Sequence, residues 1–412
     1  MMDADAAPTH YTDEAPAQPE QKPHYIAGIG ASAGGLEALT LLVGALPAGL
    51  NCTFAIVQHL SPHYRSMMVE LIGRETAMRV KAVEDGEVPL PGVIYIGPPK
   101  WNLLLRNGVF ALVEPRPDVA PKPSANLFLK SLADEKGEYA IGVVLSGTGS
   151  DGAVGIRAIK ANGGMTFAQS PDTAKYASMP QAAINTVAVD YILPPHTIAH
   201  EIAQFVQRAP AAPATPPDVT DTQRFGRLLL EVRRFTKIDF SGYKETTLWR
   251  RVRRRMATNR VDTLEEYLDL AVARPEELES LAKDILISVT SFFRDAEAFG
   301  RLEAHLKSIL EEKPQGSELR VWVPGCATGE EAYTIAIILA ELLGEGLRHL
   351  NIQIFATDID VDALNMARRA TFPSAALGEL SAELVARYFM PVGDQYEIVK
   401  QVRDLVDRKS VV

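Results

Sequence analysis

The chain has 412 residues, 47% hydrophobic and 23% charged, with a formal net charge of −10 and two cysteines. At roughly 150 residues per domain this predicts two or three domains, and the acidic balance excludes a general nucleic-acid binder. Cys52 and Cys326 are too distant for a disulfide framework or a metal site, no apolar run reaches the ~18 residues of a membrane span, and Asp3, Asp5, Asp13 and Glu14 are wrong for a signal peptide, so the cytoplasm is the expected location.

Residues 1–22, rich in Ala, Pro, Asp, Glu and Gln, read as a disordered tail. From Tyr25 short apolar runs alternate with amphipathic stretches. Strands are predicted over 25–29, 53–58, 92–96, 141–145 and 165–168, and helices over 36–43, 64–75, 124–135 and 152–162. This alternation predicts an α/β fold, a doubly wound parallel sheet covered on both faces. It closes near 191–195, with a last helix to about residue 207, which places a first domain at 23–208. Residues 209–221, rich in Ala, Pro and Thr, read as an extended linker. A small helical domain is expected over 222–290 and a partial Rossmann-like domain over 291–412. In the latter a strand over 319–323, a turn over 325–328 and a helix over 330–343 precede a strand over 352–357 and a helix over 361–369. Hairpin strands over 388–392 and 396–400 flank Gly393-Asp394. No internal repeat is found.

The first chemical signal is Y-I-A-G-I-G-A-S-A-G-G from Tyr25 to Gly35, in which Ser32 has only Gly and Ala around it. A strand entering such a turn can present one hydroxyl at the top of a sheet. The spelling is close both to a G-x-S-x-G nucleophile elbow and to a G-x-G-x-x-G phosphate-binding turn. A serine nucleophile needs a base, and the base an orienting carboxylate. In an open α/β sheet both are sought where strands end. The 53–58 strand runs into His59, and the 141–145 strand runs into Ser146-Gly147-Thr148-Gly149-Ser150-Asp151-Gly152. Each also has a plainer reading: an ordinary strand-end histidine, and an aspartate capping the next helix. His63 competes for the role of base, but Tyr64 and Arg65 beside it suggest exposure.

The second signal is the turn Pro324-Gly325-Cys326-Ala327-Thr328-Gly329-Glu330-Glu331 after a strand, with Asp358 ending the next strand. This is how a Rossmann-like unit meets a nucleotide-like ligand, the acid serving a ribose. The geometry suits NAD or S-adenosylmethionine equally, and the incomplete G-x-G-x-x-G leans against NAD. A structural turn with a surface aspartate is the plainer reading. Arg250-Arg251-Val252-Arg253-Arg254-Arg255 lies on a predicted helix, with Arg250/Arg254 and Arg251/Arg255 sharing faces. It reads as a solvated face or as a dock for acidic helices, with nucleic acid a poor third given the overall acidity.

Residues from about 24 to 195 resemble the catalytic domain of the chemotaxis protein-glutamate methylesterases. The matching stretches are Gly28 to Gly35, Val57-Gln58-His59-Leu60, Tyr95-Ile96-Gly97-Pro98-Pro99, Leu145 to Gly152, and Ala168-Gln169 through Met179-Pro180. The resemblance implies Ser32 as nucleophile, His59 as base and Asp151 as its orienting group. The reaction implied is hydrolysis of γ-glutamyl methyl esters on receptor helices, with no cofactor, and often deamidation of receptor glutamines as well. Backbone N–H groups near Ala33 and in the Gly147–Gly149 turn are the oxyanion candidates. Thr148 stands where the family often has Met. The family usually carries an N-terminal receiver domain, and the short polar stretch before Tyr25 leads us to expect no phosphorylation control in cis.

Residues from about 225 on resemble the chemotaxis protein-glutamate O-methyltransferases. The resemblance rests on Gly242-Tyr243-Lys244, Leu248 to Met256, Val289 to Asp295, Gly325 to Tyr333 and Phe355 to Asp360. It implies S-adenosylmethionine contacts from Thr290, Arg294, Glu330 and Asp358. Glu330 and Asp358 would serve the amine or ribose side, and Arg294 the carboxylate. Ser288 stands where the family often has Asn. The family continues past the hairpin, whereas this sequence ends at Val412, so the expectation is a C-terminally truncated unit with little or no methyl transfer. The implied partners are methyl-accepting receptor helices, with no nucleic acid and no membrane insertion. A non-catalytic signalling scaffold binding such helices is the alternative. A general α/β-hydrolase is disfavoured, since its order is Ser, Asp, His rather than Ser32, His59, Asp151.

Overall fold

In a computed structural model, described here for residues 24–59, 67–115, 123–208, 219–287, 290–314, 316–378, 380–393 and 395–410, the apolar runs of the first half become buried strands. These are β1 (Tyr25–Ala31), β2 (Cys52–Gln58), β4 (Val93–Ile96), β7 (Ala140–Val144) and β8 (Met165–Gln169), each buried along its whole length. Burial on both faces is why they read as unbroken apolar runs. The more exposed β3 (Arg79–Ala82) and β9 (Tyr191–Leu193) form the edges. All seven are parallel, in the order β3-β4-β2-β1-β7-β8-β9. A separate hairpin of β5 (Asn102–Arg106) and β6 (Val109–Val113) turns at Asn107 and Gly108. Neither β3 nor this hairpin is anticipated from the sequence.

Helices α1 (Gly35–Gly44), α2 (Met68–Gly73) and α6 (Pro195–Arg208) cover one face, and α3 (Ala125–Lys136), α4 (Ala153–Ala161) and α5 (Ser178–Ile184) the other. The predicted 64–75 helix is seen as α2 alone; residues 60–66, including His63, lie outside the described residues. β1 is central, with β2 on one side and β7 on the other. The crevice where connections diverge is therefore at the C-terminal end of β1, which places the site.

The second half begins with α7 (Val219–Thr236), α8 (Glu245–Asn259), α9 (Leu264–Ala273) and α10 (Pro275–Leu286), packed around Phe225, Leu228, Val252, Tyr267 and Leu281. Thr263 and Glu266 close a capping box that starts α9. After α11 (Ala296–Glu311) come β10 (Glu318–Pro324), α12 (Glu330–Leu343), β11 (Asn351–Asp358) and α13 (Val361–Arg369). β12 (Thr371–Pro373), α14 (Ala382–Tyr388), β13 (Phe389–Val392), β14 (Gln395–Ile398), α15 (Lys400–Arg403) and β15 (Val406–Ser410) follow. β15 pairs in parallel with β11, giving a β10-β11-β15 sheet with one strand more than expected. The antiparallel sheet is β12-β14-β13.

The halves are joined through α8, and here the structure corrects the reading of the basic run. Arg251 and Arg254 are 3% and 4% exposed. Arg251 donates to the carbonyls of Lys160, at 2.7 Å, and Ala161, and Arg254 donates to Gly164 O at 3.0 Å. Arg254 also pairs with Asp190 and Asp284, which share Lys160 at 2.5 and 2.9 Å. Arg255 pairs with Glu277, which takes a 2.7 Å bond from Tyr267 Oη. Arg253 lies over the Trp249 ring, 5.7 Å from its centroid. This helix face is therefore neither solvated nor open to another protein. Burial would raise the Asp190 carboxyl, but Arg254 and Lys160 outweigh it and hold the group well below the usual carboxylate range; Asp284 is lowered for the same reasons.

Candidate active site

Ser32, His59 and Asp151 converge at the C-terminal edge of β1, β2 and β7. Backbone bonds set the frame: Ser32 N–H donates to Ser146 O at 3.0 Å, and His59 N–H donates to Ala31 O at 3.1 Å. The left-handed residue of the turn is Gly34, at φ 70°, two positions beyond Ser32. A Cβ on Gly34 would stand 2.8 Å from Ser146 Oγ, so both space and backbone favour glycine there. The turn leads directly into α1, leaving Ser32 close to a helix N-terminus that favours developing negative charge.

Ser32 Oγ lies 3.1 Å from His59 Nδ1, and His59 Nε2 lies 2.8 Å from Asp151 Oδ2. A carboxylate can only accept, so Nε2–H donates to Asp151 and Nδ1 carries the lone pair toward the Ser32 hydroxyl. The carboxylate, 2% exposed, is held by further donors. Ala125 N–H reaches Oδ2 at 2.6 Å; Ser124 Oγ–H, Asn126 N–H and Gly152 N–H reach Oδ1 at 3.1, 2.9 and 3.1 Å. The first turn of α3 thus grips Asp151. Asn126 Oδ1 in turn accepts from Gly152 N–H and Gly155 N–H, both at 2.9 Å, and ties the start of α4 to α3. Sequence reasoning missed Ser124 and Asn126 in this role: locally they read only as the start of a helix.

Of the oxyanion candidates, Gly147 N–H is already committed to Tyr176 O at 3.0 Å. That leaves the N–H groups near Ala33 and at Thr148–Gly149; Thr148 itself is exposed. Gly147 has a different duty. A Cβ there would meet Met179 Sδ at 2.1 Å and Ser32 Cβ at 2.9 Å. Gly147→Ala is expected to push Ser32 off its line to His59 and to cost at least about 100-fold in the rate of Ser32 modification, a 1 Å misplacement being worth that much. Reaction with a fluorophosphonate while circular dichroism stays native checks it.

The second set is more dispersed. Gly325, Ala327 and Gly329 have φ of 69°, 47° and 99°, so the β10–α12 turn alternates through left-handed backbone. Asp358 Oδ2 accepts from Ala327 N–H at 2.7 Å and Oδ1 from Asp360 N–H at 2.8 Å, which ties it to that turn. Glu330, 1% exposed, starts α12 and accepts from Thr328 Oγ1 at 2.5 Å and from Arg157 of α4 at 3.3 Å. Thr290, Arg294 and Glu330 line one cavity of about 550 Å³, which Asp358 does not. Ser288 and Val289 lie outside the described residues.

A doubly wound α/β domain, with Ser32, His59 and Asp151 meeting at its switch point, is thus joined to an all-α unit and a second α/β unit. The CheB methylesterase family matches residues 27–202. The all-alpha domain of the CheR methyltransferases matches 223–286, and their SAM-binding domain matches 288–411. A putative protein-glutamate methylesterase/protein-glutamine glutaminase of Leptospira interrogans is 32% identical over 40% of this chain and 86% of its own length. An uncharacterized 104.1 kDa protein of Rhodobacter capsulatus is 33% identical over 82% of this chain and 38% of its own. Among solved structures, the CheB methylesterase catalytic domain of Thermotoga maritima is 29% identical over 44% of this chain and 98% of its own, with a TM-score of 0.43. The chain belongs to the CheB methylesterase family and carries CheR methyltransferase domains after the esterase domain. It spans about half the length of several curated methylesterase relatives that it matches. No helix among the described residues is long and apolar enough to cross a membrane.

Proposed function

We propose that the first half hydrolyses γ-glutamyl methyl esters on methyl-accepting receptor helices in the cytoplasm, without a cofactor. The observation supporting this reading is the unbroken relay from Ser32 Oγ through His59 to Asp151. As Ser32 Oγ attacks the ester carbonyl, His59 Nδ1 takes its proton, and Asp151 stabilises the imidazolium through Nε2–H. Backbone N–H groups near Ala33 and Thr148–Gly149 take the oxyanion. Collapse expels the methoxy group, which leaves as methanol with the proton from His59, and the acyl group stays on Ser32. His59 then deprotonates a water that cleaves the acyl-serine, returning a glutamate and free Ser32. The same steps on a glutamine would release ammonia, the second activity in the Leptospira relative's name. A fluorophosphonate is expected to label Ser32 in the wild-type chain and not in His59→Ala. Absence of labelling in both would instead favour a non-catalytic scaffold.

For the second half we assign S-adenosylmethionine to Thr290, Arg294, Glu330 and Asp358. Glu330 fits the ligand's ammonium: it is a buried carboxylate that follows a left-handed turn and lines one cavity with Thr290 and Arg294. Arg294 takes the ligand carboxylate, and Asp358 the ribose from the turn it braces. When bound, the group supplies an electrophilic methyl for a receptor glutamate. The acidic receptor helices cannot use the Arg251/Arg254 face of α8, which the esterase half covers.

A further inference from the structure

The ligand cavity of the second half has a wall from the first. Lys130, Asp134 and Arg157 of the esterase half line it together with Thr290, Arg294 and Glu330. Arg157, on α4, places Nη1 3.3 Å from Glu330 Oε1 and Nη2 3.1 Å from Thr328 Oγ1. The pair is largely removed from water, with side-chain exposures of 17% and 2%. Arg157 also lines a neighbouring cavity of about 220 Å³ that contains Thr328 and Asp360, so its side chain borders the cleft on both sides. The docking is continued by Ser150 Oγ against Ser374 Oγ at 3.2 Å and by the buried charges around Lys160.

A cation already sits on the carboxylate assigned to the ligand's ammonium. We propose that Arg157 is an internal competitor for Glu330: the guanidinium of the esterase half stands in the place of the ammonium of S-adenosylmethionine, and its release sets the affinity of the methyltransferase half for that ligand. The proposal rests on the assignment of S-adenosylmethionine to this cavity. Two cations cannot both be neutralised by one buried carboxylate without cost, so ligand entry and the Arg157–Glu330 contact oppose one another. Such opposition is a coupling free energy, and it is reciprocal: a bound ligand would loosen α4, which begins two residues after Asp151.

Calorimetric titration of the whole chain tests this without using turnover. Arg157→Ala and the size-preserving Arg157→Gln are expected to bind S-adenosylmethionine about ten-fold more tightly than wild type, with Arg157→Lys close to wild type. Methylthioadenosine, which has the nucleoside and no ammonium, is expected to bind all four alike. Equal affinities for S-adenosylmethionine across the series would overturn the proposal. Weaker binding by Arg157→Ala would also do so, making the guanidinium a ligand contact. Equal tightening of both ligands would show a general opening of the cleft instead of ion competition. No binding by any variant would remove the ligand assignment itself, and the proposal with it.

Discussion

His59→Ala is expected to lower ester hydrolysis by about 10⁴- to 10⁶-fold while leaving the fold intact. His59 is half-buried at the end of β2, its backbone N–H is fixed by Ala31 O, and its ring makes two bonds, to Ser32 and to Asp151. Without it Ser32 has no base, and the hydroxyl is a weak nucleophile. Asp151→Asn is the sharper companion. Asn at 151 would present an amide where Nε2–H now finds a carboxylate, favouring the wrong imidazole tautomer; a loss of about 10⁴-fold is expected. That variant also weakens the grip of Ser124, Ala125 and Asn126 on the 151 side chain, so hydrogen exchange at the start of α3 should rise in Asp151→Asn and not in His59→Ala. Rates of methanol release, with exchange on the same samples, check both.

The second large effect concerns the joint between the halves. Asp190→Ala is expected to cost about 3–5 kcal/mol of docking stability at neutral pH, because Lys160 and Arg254 would be left buried with Asp284 as their shared carboxylate. Thr166 N–H would also lose its acceptor, while the Thr166 hydroxyl keeps the carbonyl of Ala188. The pH dependence follows from the lowered Asp190 and Asp284 carboxyls. The native state binds fewer protons than the unfolded chain below about pH 4, the ordinary carboxylate value. The contribution is therefore complete above that pH and is lost as the pH falls toward the native values. Denaturant unfolding between pH 7 and pH 3 should show a steep acid loss in wild type and a shallower one in Asp190→Asn, which starts lower. Parallel curves would contradict the assignment.

Much of the first half is legible because its chemistry is local. Strands buried on both faces must be apolar throughout, and the serine, histidine and aspartate each follow one of them within a few residues. The edges are less legible. β3 is four residues with no buried position. The β5–β6 hairpin does carry a signal, Asn107-Gly108, both left-handed with φ of 51° and 76°, which is what a two-residue hairpin turn demands. The grip of α3 on Asp151 could not be read, since Ser124 and Asp151 are distant in sequence and a capping serine looks the same whether or not it also binds a carboxylate. The arginines of α8 show the limit most clearly. Their spacing places Arg250 with Arg254 and Arg251 with Arg255, but periodicity says only that such faces exist. What covers them is a tertiary fact: the carbonyls of Lys160 and Ala161 for Arg251, Gly164 O and the carboxylates of Asp190 and Asp284 for Arg254, and Glu277 for Arg255.

We propose that Ser32 performs covalent ester hydrolysis at the end of β1. Methanol release from a receptor-helix peptide bearing a γ-glutamyl methyl ester, measured for the wild-type chain and for Ser32→Ala, tests it most directly. The relay predicts steady release by wild type and loss of essentially all enzymatic release by Ser32→Ala, with an acyl adduct on Ser32 trapped by acid quench in wild type alone. Release by Ser32→Ala at the wild-type rate would contradict it.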